Sequence, residues 1–356
     1  MLAPPDTLNP RRFGDAITVD GDLVVIGAPI SNALATNSGA VYVYRYTGSN
    51  FEFLEMLLPD PGDTRFGEDL AISGQTLMVA SEDSAVYFFD RSGDEFTRVA
   101  RLARPAGLVN EDRFANRIAL AGNVGVANAA LEDEPSANNS GALYVYRRQE
   151  SGEWMFEARL TDELPRAQQM LGVRVTFVGN LIAATDEADQ EVQLFEFSSG
   201  TWSPRSAPEL RRASEPGYPE TLLVSNESFV LSDSLATATD RTVFAYRRAA
   251  PDDVCDSNMG FDFCDVGTFA NVDGPEGPVV ALNGDAMALG APASAPENGF
   301  TLYRWSTTQF VAITTFQIDY SGADPAISDV ALSAKAVFAS DETLGAAGEV
   351  WVFALP

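Results

Sequence analysis

Gly39-Ala-Val-Tyr-Val-Tyr-Arg45 returns in degraded form along the 356 residues of the chain. The copies are Ser84-Ala-Val-Tyr-Phe-Phe-Asp90, Gly141-Ala-Leu-Tyr-Val-Tyr-Arg147, Glu191-Val-Gln-Leu-Phe-Glu196, Arg241-Thr-Val-Phe-Ala-Tyr-Arg247, Gly299-Phe-Thr-Leu-Tyr-Arg304 and Gly348-Glu-Val-Trp-Val-Phe353. Aligned on Tyr44, Phe89, Tyr146, Phe195, Tyr246, Tyr303 and Phe353, they step by 45, 57, 49, 51, 57 and 50 residues. Repeats of this length are supersecondary units that bury their apolar faces only against each other.

Around the first copy, each unit reads as four strands. Phe13–Val19 is followed by a tight turn at Asp20-Gly21, and Leu23–Pro29 is a nearly all-apolar second strand. Ile30–Ser38 is a polar loop, Ala40–Arg45 the third strand, and Phe51–Leu57 a more solvated fourth. The turn signal returns at Ser73-Gly74, Ala121-Gly-Asn123, Val178-Gly-Asn180, Ser225-Asn226, Asn283-Gly-Asp285 and Ala334-Lys335. The expected fold is all-β, a seven-bladed β-propeller of four-stranded antiparallel blades. A series of β-sandwiches would not repeat one four-strand order seven times. The blades run over about residues 11–60, 61–106, 107–164, 165–211, 212–272, 273–320 and 321–356. The last ends on a third strand, Trp351–Leu355, and residues 1–8, whose Leu2-Ala-Pro-Pro5 resembles Leu57-Leu-Pro-Asp60, are expected to complete it.

Composition narrows the function. With 51 acidic against 23 basic residues the net charge is −28, and Lys335 is the only lysine. Such a surface repels nucleic acid and anionic membranes, and suits either a high-salt setting or simple solubility. No apolar run is long enough to span a bilayer, and Met1-Leu-Ala-Pro-Pro5 has neither the basic nor the apolar region of a signal peptide. Cys255 and Cys264, the only cysteines, lie in an acidic loop-like stretch and read as a local disulfide, with two unpaired thiols as the alternative. A clip that short would contribute roughly 2–3 kcal/mol. It would place the protein outside the reducing cytosol, whether extracellular, at the cell surface or periplasmic.

Phe13-Gly14 followed by Gly27-Ala-Pro29 resembles the FG-GAP repeat of integrin α-subunit heads and of bacterial secreted and surface proteins. Phe66-Gly67 and Phe114-Ala115 keep the first half, and Gly290-Ala-Pro292 the second. Leu171-Gly172 and Gly277 are fainter echoes. The resemblance implies extracellular binding of a protein or carbohydrate, by a monomeric domain or part of a larger surface protein. It does not carry over calcium. The first hairpins, such as Asp20-Gly-Asp22 and Asn283-Gly-Asp285, are too short for the Asp-x-Asp-x-Asp-Gly loop, and calcium wants six to eight oxygens. Asp252, Asp253, Asp256, Asp262 and Asp265 around the cysteines could hold a calcium ion, but they match no calcium-loop spacing, and the competing reading is a solvated acidic loop. No cofactor other than calcium is expected.

The chain has no histidine, which removes Ser-His and Cys-His nucleophile pairs and His-bound zinc. Carboxylate pairs remain, so the alternatives to a non-enzymatic binding module are a glycan hydrolase or lyase and a purely structural domain. Aligning the second strands on Pro29 places Glu82, Asp186, Asp233 and Asp341 at equivalent ends. With Asp83, Glu187 and Glu342 they form a candidate acidic rim for cations or a basic partner. The other reading is local turn bonding at strand ends. The loops Ile30–Ser38 and Ala130–Ser140 share that face. Tyr42, Tyr44, Tyr144, Tyr146 and Trp351 recur on the third strands, a place that means packing between blades rather than sugar stacking.

Overall fold

The computed structural model describes residues 4, 11–48, 50–108, 112–178, 180–186, 191–205, 217–224, 228–235, 242–248, 263–270, 279–283, 286–291, 299–306, 310–317, 329–332, 336–341 and 349–354. Among these the regular elements are all β-strands. They form seven antiparallel sheets, six of four strands and one of three, each in simple chain order. Sheet 1 comprises Ile17–Asp20, Leu23–Ala28, Ala40–Tyr46 and Phe51–Leu57. Sheet 7 comprises Asp329–Leu332, Ala336–Asp341 and Glu349–Ala354. The first strand of each sheet lies beside the first strand of the next, and Asp329–Leu332 returns to the side of Ile17–Asp20. The fold is a β-propeller of four-stranded antiparallel blades. Residues 1–3 and 5–8, expected to extend sheet 7, lie outside the described residues, as do Cys255 and Glu187.

The first hairpins form where the turn signals stand. Gly21, Gly74 and Gly122 open two-residue turns with φ of +62°, +60° and +54°, a backbone that glycine adopts without a Cβ penalty. The first strand, however, starts later than its alternation suggests. In sheet 1 it begins at Ile17, not Phe13, because Arg12 and Gly14 have φ of +58° and +97°. That pair of left-handed residues breaks the extended run. The same pair flanks the apolar residue at Arg65/Gly67, Arg113/Ala115 and Met170/Gly172.

The kink drives a ring inward. Phe13, Phe66 and Phe114 are fully buried and meet Tyr42, Tyr87 and Tyr144 of their own third strands edge to face, at centroid distances of 5.4, 5.0 and 5.8 Å. The two recurring sequence features are thus halves of one contact. The third-strand tyrosines Tyr42, Tyr44, Tyr144 and Tyr146 are all buried, as packing between blades requires. Trp351 lies on the last strand, and its side chain is outside the described part.

Each hydrophobic core lies between two sheets rather than inside one. Leu23, Val25 and Val43 of sheet 1 pack with Leu77, Val79 and Tyr87 of sheet 2. On the other side, Val24, Ile26 and Tyr44 pack with Ala331 and Ala336 of sheet 7. A bulge recurs in the pairing of third and fourth strands, at Val43/Tyr44, Phe88/Phe89, Val145/Tyr146, Ala245/Tyr246 and Leu302/Tyr303. It twists the outer strand, which discourages edge-to-edge association.

One tight point is where the loop after a second strand meets the next sheet. Gly39 has φ +80°, and a Cβ there would overlap the backbone of Phe66; Gly141 meets Leu171 in the same way. At Gly21 a Cβ would meet nothing within 4 Å. Both glycines share the left-handed penalty, so their difference isolates the packing. Gly21→Ala is expected to cost about 1 kcal/mol. Gly39→Ala is expected to cost about 3 kcal/mol or more. Urea denaturation midpoints check both, and equal losses would contradict the close approach.

Candidate binding face

Among the described residues, the loops after the second strands of sheets 1 to 3 and the linkers leading out of those sheets lie on one face. Two of these loops are built alike. In sheet 1, Ser38 Oγ accepts from the amides of Leu34 and Ala35 at 3.1 and 3.3 Å, and Asn32 Oδ1 accepts from the Asn37 amide at 2.8 Å. The loop is then pinned to the next sheet, where the amides of Arg65 and Phe66 donate to the carbonyls of Asn37 and Ser38 at 2.8 and 3.1 Å. In sheet 3, Asp133 Oδ1 accepts from the Asn139 amide at 2.7 Å, and the amides of Gln168, Met170 and Leu171 donate to the carbonyls of Asn138, Asn139 and Ser140 at 2.8–2.9 Å. Thr36-Asn-Ser-Gly39 and Asn138-Asn-Ser-Gly141 are therefore the sequence form of this clamp.

Sheet 2 has no long loop, and acids take over its job. Asp83, at φ +58°, accepts from the Phe114 amide at 3.1 Å through Oδ1 and donates its own amide to the Phe114 carbonyl at 2.8 Å. Glu82 is only 3% exposed. Its oxygens take Arg65 Nε at 2.6 Å, Asn116 Nδ2 at 3.1 Å and Arg113 Nε at 3.5 Å. The first two expected rim residues thus bind neighbouring sheets together.

Strand register also redraws the rim. In all seven sheets the residue opposite the repeat aromatic (Val24 opposite Tyr44, for instance) stands four before Ala28, Ser81, Ala129, Asp186, Asp233, Ala291 and Asp341. Asp186, Asp233 and Asp341 are therefore equivalent to Ala28, whereas Glu82 is equivalent to Pro29, one residue further on. The acids do not share one circle, since a one-residue step reverses the face. Asp186 accordingly points into a sheet junction, 1% exposed, and accepts from Gln169 Nε2 at 2.5 Å and Gln193 Nε2 at 3.4 Å. Glu187 and Glu342 lie outside the described residues, as do the side chains of Asp233 and Asp341 and the Cys255–Cys264 pair.

Two clusters on this face escaped the sequence reading. Tyr87 pairs across strands with Arg101, and Tyr144 with Arg159. Tyr87 donates to Asp63, and Arg101 holds Asp63 through Nε at 2.8 Å and Nη2 at 2.6 Å. Tyr144 donates to Glu132 at 2.9 Å, while Arg159 reaches Glu132 at 2.7 Å and Glu134 at 2.5 Å. Burial and the bond to Asp63 push the Tyr87 phenol up to about 12. The Asp63 carboxylate holds the Arg101 guanidinium above its ordinary value. Glu132 is raised by burial despite Arg159. These carboxylates are committed to arginine forks, and among the described residues no cluster of three or more metal-ligating side chains is placed to hold an ion. Apolar side chains also stand open on this face: Leu34 is 50% exposed and Leu164, in the linker to sheet 4, 79%.

Residues 1–44 match the family model of the FG-GAP repeat. Sheet 1 is built on an FG-GAP repeat. Its Phe-Gly turn and Gly-Ala-Pro strand end are the two sides of the junction described above. No curated protein sequence matches the chain. Among solved structures, this propeller is similar to a chain of the mitotic checkpoint complex, with a TM-score of 0.58 and 11% identity over 99% of this chain and 93% of that one. It is also similar to a Bacteroides uniformis protein proposed to be a 6-phosphogluconolactonase, at 0.57 and 11% over 86% of each. A Lactobacillus plantarum protein matches at 0.54 and 12%, over 85% and 84%. At such identities the likeness is one of fold alone.

Asp83 supplies a pH test of the junction. Burial, and then the neighbouring Glu82 charge, raise its carboxyl from 3.8 to about 6. Between those values the folded chain holds a proton that the unfolded chain has released, so stability falls as pH rises through that window and stays lower above it. Asp83→Asn keeps the acceptor for Phe114 and suits the left-handed backbone. It is expected to be more stable than the parent at pH 8 by up to about 1 kcal/mol, allowing for solvent screening, and indistinguishable near pH 4. Denaturation midpoints across pH 4–8 read the difference, and a gain that does not depend on pH would count against it.

Proposed function

We propose that the protein is a non-enzymatic binding or adhesion module that recognises a protein or glycan through its loop face, outside the cytosol. The observation that carries this reading is the clamp on the loops of sheets 1 and 3. Backbone hydrogen bonds to the next sheet hold them rigid, while Asn32, Leu34 and Asn37 remain exposed. A rigid loop loses little conformational entropy when it binds, which is the ordinary physical basis of preorganised recognition. The FG-GAP repeat at residues 1–44 supports the same reading. The commitment of Glu82, Glu132 and Asp63 to arginines favours a contact surface over a pair of catalytic carboxylates.

In this reading the ring is seven-bladed, residues 1–8 supply the outer strand beside Glu349–Ala354, and Cys255 and Cys264 form a disulfide. The domain acts as a monomer or within a larger surface protein, at the cell surface, in the periplasm or in the medium.

Screening against glycan and protein arrays, with and without calcium, identifies the ligand class. Leu34→Asp combined with Leu164→Asp is then expected to weaken the best hit at least about tenfold, with an unchanged melting temperature. Full binding by that variant would move recognition off this face. Deleting residues 1–8 is expected to lower the melting temperature by roughly 3–6 °C. No change would remove them from the ring.

A further inference from the structure

One level of the axis-lining strands is set apart by charge. The residues just before the core aliphatics Ile17, Leu70, Ile118 and Val175 are Ala16, Asp69, Arg117 and Arg174, the latter three in consecutive sheets. They stand at the end of the first strand nearest the loop face. The register puts Asp329 at the same level of sheet 7, beside Ala16.

Arg117 is exceptional within this level. In a chain with 51 acidic residues, Arg65, Arg101, Arg148 and Arg159, among others, lie in ion pairs. Arg117, half-buried, makes no ion pair with any described carboxylate; its Nη1 donates to the neighbouring Asn116 carbonyl at 2.8 Å. Asp69 does not take it up. Asp69 Oδ1 accepts from its own sheet's Leu70 amide at 2.9 Å and Oδ2 from the Ile118 amide at 2.8 Å, although both arginine charges act on it. The platform beneath Arg117 is fixed. Its amide donates to Asn128 Oδ1 at 2.8 Å, and Asn128, fully buried, donates in turn to the Gly172 carbonyl of sheet 4 at 2.8 Å. The Arg117 fork thus meets no described carboxylate directly, and Asp69 acts on it through charge alone, in a chain where carboxylates outnumber cations more than two to one.

We propose that Arg117, flanked by Arg174, anchors a carboxylate group of a ligand at the loop-face end of the propeller axis. A guanidinium fork matches a planar carboxylate through two parallel N–H···O bonds, and the adjacent Arg174 adds charge at the same level. Asp69 is the internal competitor. Its charge weakens the site and keeps the two arginines from repelling each other when it is empty. The site stands independently of the loop-face reading, since a small carboxylate probes it whether or not a macromolecule binds.

Malonate titrated into the full chain by calorimetry and by thermal shift, at an ionic strength held constant with NaCl, is expected to bind saturably. Arg117→Gln should weaken it at least about tenfold, the loss of a charge-assisted pair. Asp69→Asn, which keeps an acceptor for Ile118, should tighten it at least about threefold. Arg117→Lys keeps the charge without the fork and should lose several-fold; it carries the test if circular dichroism shows the Gln variant unfolded. Equal malonate affinity in parent, Arg117 and Asp69 variants, or a response that NaCl reproduces, overturns the site. Tighter binding of sulfate than of malonate overturns its assignment to carboxylates.

Discussion

Backbone-to-backbone contact between successive sheets is the constraint from which the rest of the molecule follows. A Cβ on Gly27 would overlap the Gly67 carbonyl, one on Gly67 would press on Ala40 and Val41, and one on Gly39 would overlap the backbone of Phe66. At that distance the carbonyls of Asn37 and Ser38 reach the amides of Arg65 and Phe66. Peptide groups that the edge of a sheet would leave unpaired are therefore satisfied by the next sheet. The left-handed pair around Phe13, Phe66 and Phe114 then turns each ring onto its third-strand tyrosine. Close approach, hydrogen bonding and aromatic packing coincide at one corner of sheets 1, 2 and 3. Cost and gain are local to a junction, as expected of a repeat whose units bury their faces on their neighbours.

Charge is spent at those same corners. The net charge is −28, and several acids of the loop face are held in ion-paired clusters. Asp63 sits under Arg101, Glu132 under Arg159, and Glu82 between Arg65 and Arg113. Arginine suits these places better than lysine because one planar fork can serve two oxygens, or two carboxylates, at once. Taking such charges partly out of water costs nearly what the pairing returns, so their contribution is geometric more than energetic. They fix which sheet edge meets which.

The fold was legible because its signal is periodic. Seven aromatics at similar spacing mark a strand that is always third, and the register shows each of them opposite the same place on the second strand. The end of the second strand carries no comparable mark. Gly27-Ala-Pro29 and Gly290-Ala-Pro292 are explicit, but Ala183-Ala-Thr-Asp186 can be slid by one residue without offending any pattern. That slip placed Asp186 on a rim when its position is that of buried Ala28. The Tyr-Arg-carboxylate clusters were illegible for another reason. Tyr87 and Arg101 meet across a bulged hairpin, and Asp63 joins them from the preceding linker, so no spacing in the chain announces the contact. Asp83 was visible as an acid, but its role depends on a short turn that brings the next sheet within reach.

Three different junction chemistries perform one mechanical task. Sheets 1 and 3 use a Ser-Gly loop clamp, sheet 2 uses the side chains of Glu82 and Asp83, and the junction into sheet 4 adds Gln169 and Asp186. Because the clamp contacts only the last residues of a loop, the stretch before it can change length and composition without disturbing the sheet beyond. Residues 33–35 are free to vary in this sense, while Asn32, Asn37, Ser38 and Gly39 are held by the clamp. Sequence drift is thereby channelled to the exposed centre of each loop and away from its ends. A scaffold that separates the two so cleanly can acquire a new contact surface at little cost in stability, and that separation is the physical reason to place recognition on this face.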